Sequence, residues 1–281
     1  MTFCTGINIK LVKEEMKDKN IKPINEIDMI KSLKKLNKEE LTKKGFDNQE
    51  IFKIDSMDIE TEFKKVLLKR KKLPTEQLKR MGYSEIQITK LRNIKGNETL
   101  DEIRSLSADM YCYNYINTHR YDSDTNRTKV EAEFGWEWNV VPAFQFTDSI
   151  GVGWNGDFQI DPDYYQYWLN YHIKTYYDKY SSKTVTRRSS MSEKKMNTCQ
   201  DSFDLTGYDE GLQNYFCKSG YGVMALTEVG KASNVKFSFK YGHNHVGVAP
   251  SVTYPYGVGF TFKGAEQIYS PPSVANSQKN F

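Results

Sequence analysis

Cysteine is scarce in this chain and shows no metal-binding pattern. Cys4, Cys112, Cys199 and Cys217 form no CxxC pair, which argues against a zinc ribbon. Only Cys199 and Cys217, on either side of a loop-like segment, have a spacing that suits a disulfide, and the sequence leaves that pairing open against four free thiols. No apolar run approaches the roughly 20 residues of a membrane-spanning helix. The opening ten residues lack the basic start and long apolar centre of a secretory leader, so no export address is visible and no compartment is assigned. A GxSxG elbow, an HExxH helix, a Walker loop and a GxGxxG turn are all missing. Enzymatic function loses support, and no cofactor is expected.

Charge of one sign is also lacking. Residues 1–108 hold 24 Lys and Arg against 18 Asp and Glu; the remainder holds 16 against 18. That is a mild field, too weak for a nucleic-acid footprint. The densest basic cluster, Lys69-Arg70-Lys71-Lys72, falls at the end of an expected helix, where cations complement the carbonyl end of the dipole.

What the chain does have is unevenly placed. Eighteen of its 19 tyrosines, all 4 tryptophans and fourteen of its 18 glycines follow residue 108. One composition cannot produce that split. The sequence therefore reads as α+β: a helical region over 1–108, an antiparallel β-sandwich or barrel-like region over 109–269, and a frayed tail over 270–281.

Within the first region a pattern recurs after 37 residues. Leu36-Asn-Lys-Glu39-Glu-Leu41 leads to Gly45-Phe46-Asp47 and Glu50-Ile51; Leu73-Pro-Thr-Glu76-Gln-Leu78 leads to Gly82-Tyr83-Ser84 and Gln87-Ile88. Glycine after a short helix takes the left-handed conformation that other residues resist. Asp47 or Ser84 then caps the next helix, with Glu50 or Gln87 three residues on. A third helix follows each pair, from Ile59 to about Arg70 and from Thr99 to about Ser107, giving tandem units over about 36–70 and 73–107. Helices this short need tertiary support.

The second region reads as strands. Val130, Ala132, Phe134, Trp136 and Trp138 share one face, with Lys129, Glu131, Glu133 and Glu137 on a wet one. Similar alternation recurs at Tyr111–Tyr115, Ile150–Trp154, Tyr165–Ile173, Val223–Thr227, Val235–Tyr241, His245–Val252 and Tyr256–Phe262. Glycines opposite the apolar rows, such as Gly151 and Gly153, point to close backbone approach or a covered face. Residues 181–202, rich in Ser, Thr and Lys, read as an exposed loop or loose hairpin.

Candidate sites are few. His243 and His245 alternate on one strand face and could hold zinc or copper with a further ligand such as His172; hydrogen-bonded surface histidines are the alternative. Asn155-Gly156-Asp157 and Asp161-Pro162-Asp163 could hold calcium, although turn chemistry alone explains them. The aromatic excess favours recognition, with Trp154, Tyr165, Tyr167, Trp168 and Tyr171 as candidate ligand-binding residues.

Met81-Gly82-Tyr83, followed by a helix and Gly96-Asn97, resembles the loop of the ubiquitin-associated (UBA-like) three-helix family over about 35 residues. That resemblance implies that Met81, Gly82 and Tyr83 touch a partner. Over most of its length the chain is also similar to poorly characterised Gram-positive bacterial proteins that join such helices to a β-rich C-terminal region. The leading expectation is a non-enzymatic binding protein for a carbohydrate, a cell-wall polymer or a protein. The alternative is a β-pore-forming toxin or bacteriocin-like protein with 181–202 as its mobile segment.

Overall fold

The computed structural model describes residues 23–161, 170–177, 185–190, 193–195, 197–209, 213–244, 251–253, 261–263, 266–269 and 273–276. The architecture is α+β, helices first and antiparallel sheets after. A two-residue strand β1 (Ile24–Asn25) precedes seven helices: α1 (Glu26–Lys34), α2 (Lys38–Lys43), α3 (Asn48–Ser56), α4 (Ile59–Arg70), α5 (Thr75–Arg80), α6 (Glu85–Asn93) and α7 (Leu100–Ile103).

Helices α5 and α6 begin and end 37 residues after α2 and α3. The turns between them follow from local chemistry. Gly45 and Gly82 sit at φ +87° and +101°, and the next amides, Phe46 and Tyr83, return to the Leu41 and Leu78 carbonyls at 3.1 Å each. This closure satisfies carbonyls that the helix end leaves without partners. Asp47 accepts from the Glu50 amide at 2.8 Å while Glu50 accepts from the Asp47 amide at 2.6 Å. Ser84 and Gln87 exchange the same pair of bonds at 3.3 and 2.9 Å. Lys34 and Lys71, also 37 apart, donate to the Met57 and Ile94 carbonyls that end α3 and α6 (2.8 and 2.5 Å).

The β region supplies β2 (Asp109–Asp122), β3 (Arg127–Trp138), β4 (Thr147–Trp154), β5 (Gln159–Ile160), β6 (Asn170–Tyr177), β7 (Val185–Ser190), β8 (Glu193–Lys195) and β9 (Thr198–Asp204). It continues with β10 (Thr206–Asp209), β11 (Gln213–Val229), β12 (Asn234–His243), β13 (Ser251–Thr253), β14 (Thr261–Lys263), β15 (Glu266–Tyr269) and β16 (Ser273–Asn276). One sheet runs β1-β2-β3-β11-β6-β7, with β5 and β10 also on β11. A second runs β15-β12-β4-β9-β8, with β16 on β12, and β13 pairs β14.

Rings from the two large sheets meet directly. Phe134 and Trp136 of β3 lie 5.1 and 6.2 Å from Phe239 of β12, and Trp136 lies 5.6 Å from Tyr241. Glycine makes room for them. A side chain at Gly220 would meet the Trp136 ring at 2.1 Å, and one at Gly222 would meet Phe134 at 2.3 Å. An aromatic ring laid over a cross-strand glycine fixes register and fills the space the missing side chain leaves. The apolar cluster does not stop at residue 108. Phe63, Leu67, Leu78, Met81, Tyr83 and Ile88 belong to the same buried set as Trp136 and Phe237. Leu33, Leu41, Phe46, Ile51 and Ile54 form a separate small cluster around α2 and α3.

Two expectations change, and the open question of the Cys199–Cys217 pairing is answered. Much of 181–202 is strand: β7 borders the first sheet, β8 and β9 form a hairpin in the second, and Thr198 and Cys199 are buried. Pairing with β4 accounts for this, a partner that local composition does not reveal. The 270–281 tail contains β16, paired with Asn234–Phe237. Cys112, Cys199 and Cys217 are buried free thiols, so Cys199 and Cys217 do not pair; Cys4 lies outside the described residues.

Candidate functional site

The densest polar construction lies where the helices meet the sheets, around the β3–β4 connection Asn139-Val-Val-Pro-Ala143. It starts from α4. Ile59, Phe63, Leu67 and Arg70 recur at helical spacing on the buried side, and Arg70 is only 5% exposed. Its guanidinium donates to the carbonyls of Val141 (2.8 Å) and Pro142 (2.6 Å) and to the Tyr83 hydroxyl (2.8 Å). The basic cluster at the end of α4 therefore includes one residue that is a buried clamp rather than a solvated cation.

Glu26 opens α1 and is fully buried. Its two carboxylate oxygens accept from the Ala108 and Ala143 amides, each at 2.7 Å, tying α1 to the residue that leads into β2 and to the connection that leaves β3, at one end of that antiparallel pair. Burial pushes the Glu26 carboxyl above its usual range, opposed by those amide bonds and by the Arg70 and His243 charges. Beneath the connection, Asp148 of β4 accepts from the Tyr241 hydroxyl (2.5 Å) and the Asn244 amide (3.1 Å) and lies 3.0 Å from His243 Nδ1. The Trp138 indole donates to Tyr241 at 3.3 Å and its ring meets His243 edge-on at 4.8 Å. This is a hydrogen-bonded interior that orients a strand connection.

Met81, Gly82 and Tyr83, which the resemblance assigns to a partner, turn inward. Met81 and Tyr83 are 7% and 3% exposed, and the Met81 carbonyl accepts from the Val141 amide at 2.8 Å. A side chain at Gly82 would lie 2.1 Å from the Asn139 carbonyl oxygen. The partner they touch is their own chain.

Trp154 is buried and its indole donates to the Phe158 carbonyl at 2.8 Å, placing it in the interior rather than on a ligand face. Tyr165, Tyr167 and Trp168 lie outside the described residues; Tyr171 stands in β6, opposite Gly222 of β11 and Ser189 of β7. His243 is buried against Asp148, so it is not a surface histidine, and His245 lies outside the described residues. Among the described residues no group of three or more His, Cys, Asp or Glu is arranged to hold a metal. The Asn155 side-chain oxygen accepts from the Lys236 amide and Gly156 takes φ +75°, as the turn reading of Asn155-Gly156-Asp157 expects.

One surface feature departs from the sequence reading. Glu133, assigned to a wet face, is 6% exposed beneath the Tyr115 hydroxyl and the Asn117 amide, both of which donate to it. Tyr113 lies across Gly135 and stacks with Tyr115, ring centres 6.3 Å apart. Burial pushes the Tyr113 hydroxyl well above the usual phenol range, with Tyr115 and Glu133 adding to it. Tyr111, Tyr113, Tyr115 and Tyr221 thus make a half-buried aromatic platform on the outer side of the first sheet.

No family model matches the chain, and no curated protein is similar to it. Several solved structures are distantly similar. The Clostridium perfringens NetB toxin in its membrane-inserted form is 8% identical over 61% of this chain and 97% of that one, with a TM-score of 0.28. A structure described as a pore forming protein is 9% identical over 60% and 89%, TM-score 0.24. AvmM, described as catalysing macrocyclization in alchivemycin A biosynthesis, is 8% identical over 61% and 91%, TM-score 0.25. Likenesses at these scores, spanning toxin and enzyme alike, carry no argument about function.

Proposed function

We propose that this is a membrane-acting β protein of the pore-forming type: a β-sandwich body, a strand segment around β6 and β7 that enters a bilayer, and tandem helical units that brace the body. The observation that carries this reading is the stretch Tyr164–Tyr177. Its fourteen residues contain no Asp or Glu and a single lysine. Tyr165, Tyr167, Leu169, Tyr171 and Ile173 alternate with Gln166, Trp168, Asn170, His172 and Lys174, four of which are polar. Tyrosine pairs close both ends, at 164–165 and 176–177, as the aromatic girdles of a membrane strand do. From one pair to the other the strand would run ~40 Å, or ~28 Å across a bilayer at about 45° tilt, matching the hydrocarbon core. Support also comes from position: β6 and β7 form the border of the first sheet, where a hairpin can leave with the fewest strand pairs broken. No helix among the described residues is long and apolar enough to cross a membrane, so spanning falls to strands.

The test is dye release from liposomes by the full chain. Leakage is expected at micromolar protein, reduced at least tenfold by Ile173→Asp with the circular dichroism spectrum unchanged. No leakage from anionic or zwitterionic vesicles at any concentration tested would overturn the reading.

Recognition without insertion is the second reading, favoured by the Tyr111–Tyr113–Tyr115–Tyr221 platform. Stacked rings beside carboxylates suit a carbohydrate or cell-wall polymer. Sedimentation with insoluble peptidoglycan, lost in Tyr113→Ala, together with intact liposomes, would favour it.

A further inference from the structure

The outer side of the first sheet carries negative charge that the protein leaves unanswered. Glu131 and Glu133 share that face of β3, with Ala225 and Val223 opposite them on β11. On β2 the register shifts between Ile116 and Thr118, leaving Asn117 as an extra residue. Such a bulge re-aims a side chain. The Asn117 amide nitrogen donates to both carboxylates, at 3.1 Å to Glu131, and the Tyr115 hydroxyl donates to the second oxygen of Glu133. Two carboxylates are thus gathered on one neutral nitrogen. Lys129, two residues before Glu131 on the same face, is turned to Asp122 at 3.5 Å. Among the described residues no lysine or arginine lies within ion-pairing distance of Glu131 or Glu133, although Glu133 is almost wholly buried. A buried carboxylate ordinarily has a cation beside it.

Beside this charge lies a flat floor of rings. Tyr113 crosses Gly135, and its plane is only 24° from that of Tyr115. The Tyr113 hydroxyl makes no hydrogen bond among the described residues. Flat ring faces stack on the apolar side of a sugar, and carboxylates accept from N–H groups. A neutral sugar would leave both charges unanswered, and a quaternary ammonium would bring no N–H to meet them. A sugar with a free ammonium satisfies floor and charge together. We propose that Tyr113, Tyr115, Glu131 and Glu133 form a subsite for a glycan whose amino groups carry no acetyl, its ring on the tyrosines and its ammonium against the carboxylates. The inference rests on the recognition reading of this platform and is indifferent to whether strands elsewhere enter a bilayer.

The probes are the tetramers of glucosamine and of N-acetylglucosamine, alike in backbone, titrated into the full chain by calorimetry at about pH 5.5, where a free amine is protonated. Saturable binding of the amino tetramer is expected, with the acetylated one about tenfold weaker. Glu131→Gln keeps the acceptor for Asn117 and removes one charge. It should weaken the amino tetramer about tenfold and leave the acetylated one unchanged, whereas Tyr113→Leu should weaken both. Equal binding of the two tetramers, or an amino tetramer indifferent to Glu131→Gln, would overturn the inference and leave the recognition reading standing. Failure of both tetramers to bind would also overturn it, while sedimentation with peptidoglycan decides the recognition reading separately.

Discussion

The unit α1–α3 and the unit α4–α6 share a turn, a capping box and a lysine that closes the last helix, yet they sit in different surroundings. Around Gly45 the chain packs on itself. Around Gly82 it packs on the sheets. The divergence can be traced to single positions. Leu33, which closes the small cluster of the first unit, corresponds 37 residues on to Arg70, which grips the β3–β4 connection. Lys44 corresponds to Met81, which joins the main core. A repeated local code therefore fixes the helix–turn–helix, and a few substitutions on its rim decide what it docks against.

Paired substitutions sharpen this contrast, beginning with the largest effect. Arg70→Met should cost about 3–5 kcal/mol, because it removes three buried hydrogen bonds and leaves the Val141 carbonyl without a donor. Urea denaturation should show this as a loss of stability for the whole chain. Gly82→Ala should cost at least about 3 kcal/mol, combining a left-handed backbone with a clash at Asn139, whereas Gly45→Ala should cost less, about 1–2 kcal/mol from its left-handed backbone. Equal effects would remove the distinction.

Acidity offers a third probe. Glu26 holds its proton more tightly in the folded chain than unfolded, so its contribution is intact below about pH 4.3, the ordinary glutamate value, and is lost as pH climbs through the raised one. Glu26→Gln should flatten that decline in a plot of urea midpoint against pH. The smallest effect is at the caps. Ser84→Ala and Asp47→Ala should each cost about 1 kcal/mol, the first read in global unfolding and the second only in local helix signal.

Much of the fold was legible because it is local. Caps and left-handed glycines placed α2, α3, α5 and α6, and period-two alternation identified the buried row of β3. The rest depended on partners far along the chain. Nothing near Glu133 announces that Tyr115 and Asn117 will cover it, and residues 198–202 become strand by pairing with the distant β4 as well as with β8. Two site residues were within reach of pattern reading. His243 continues the inward row Val235, Phe237, Phe239, Tyr241, and Arg70 continues Ile59, Phe63, Leu67. Both followed an apolar period into the interior, and their polarity hid it. Trp154 shows the converse, an aromatic read as a surface ligand plate that the core absorbed.

Native-state hydrogen exchange tests the central contrast most directly. Amides of α5 and α6 should exchange with opening free energies matching those of β3 and β11, because one core holds them, while α2 and α3 should open at least about 2 kcal/mol more easily. Equal protection in the two units, or early joint opening of both while the sheets stay closed, would contradict the account.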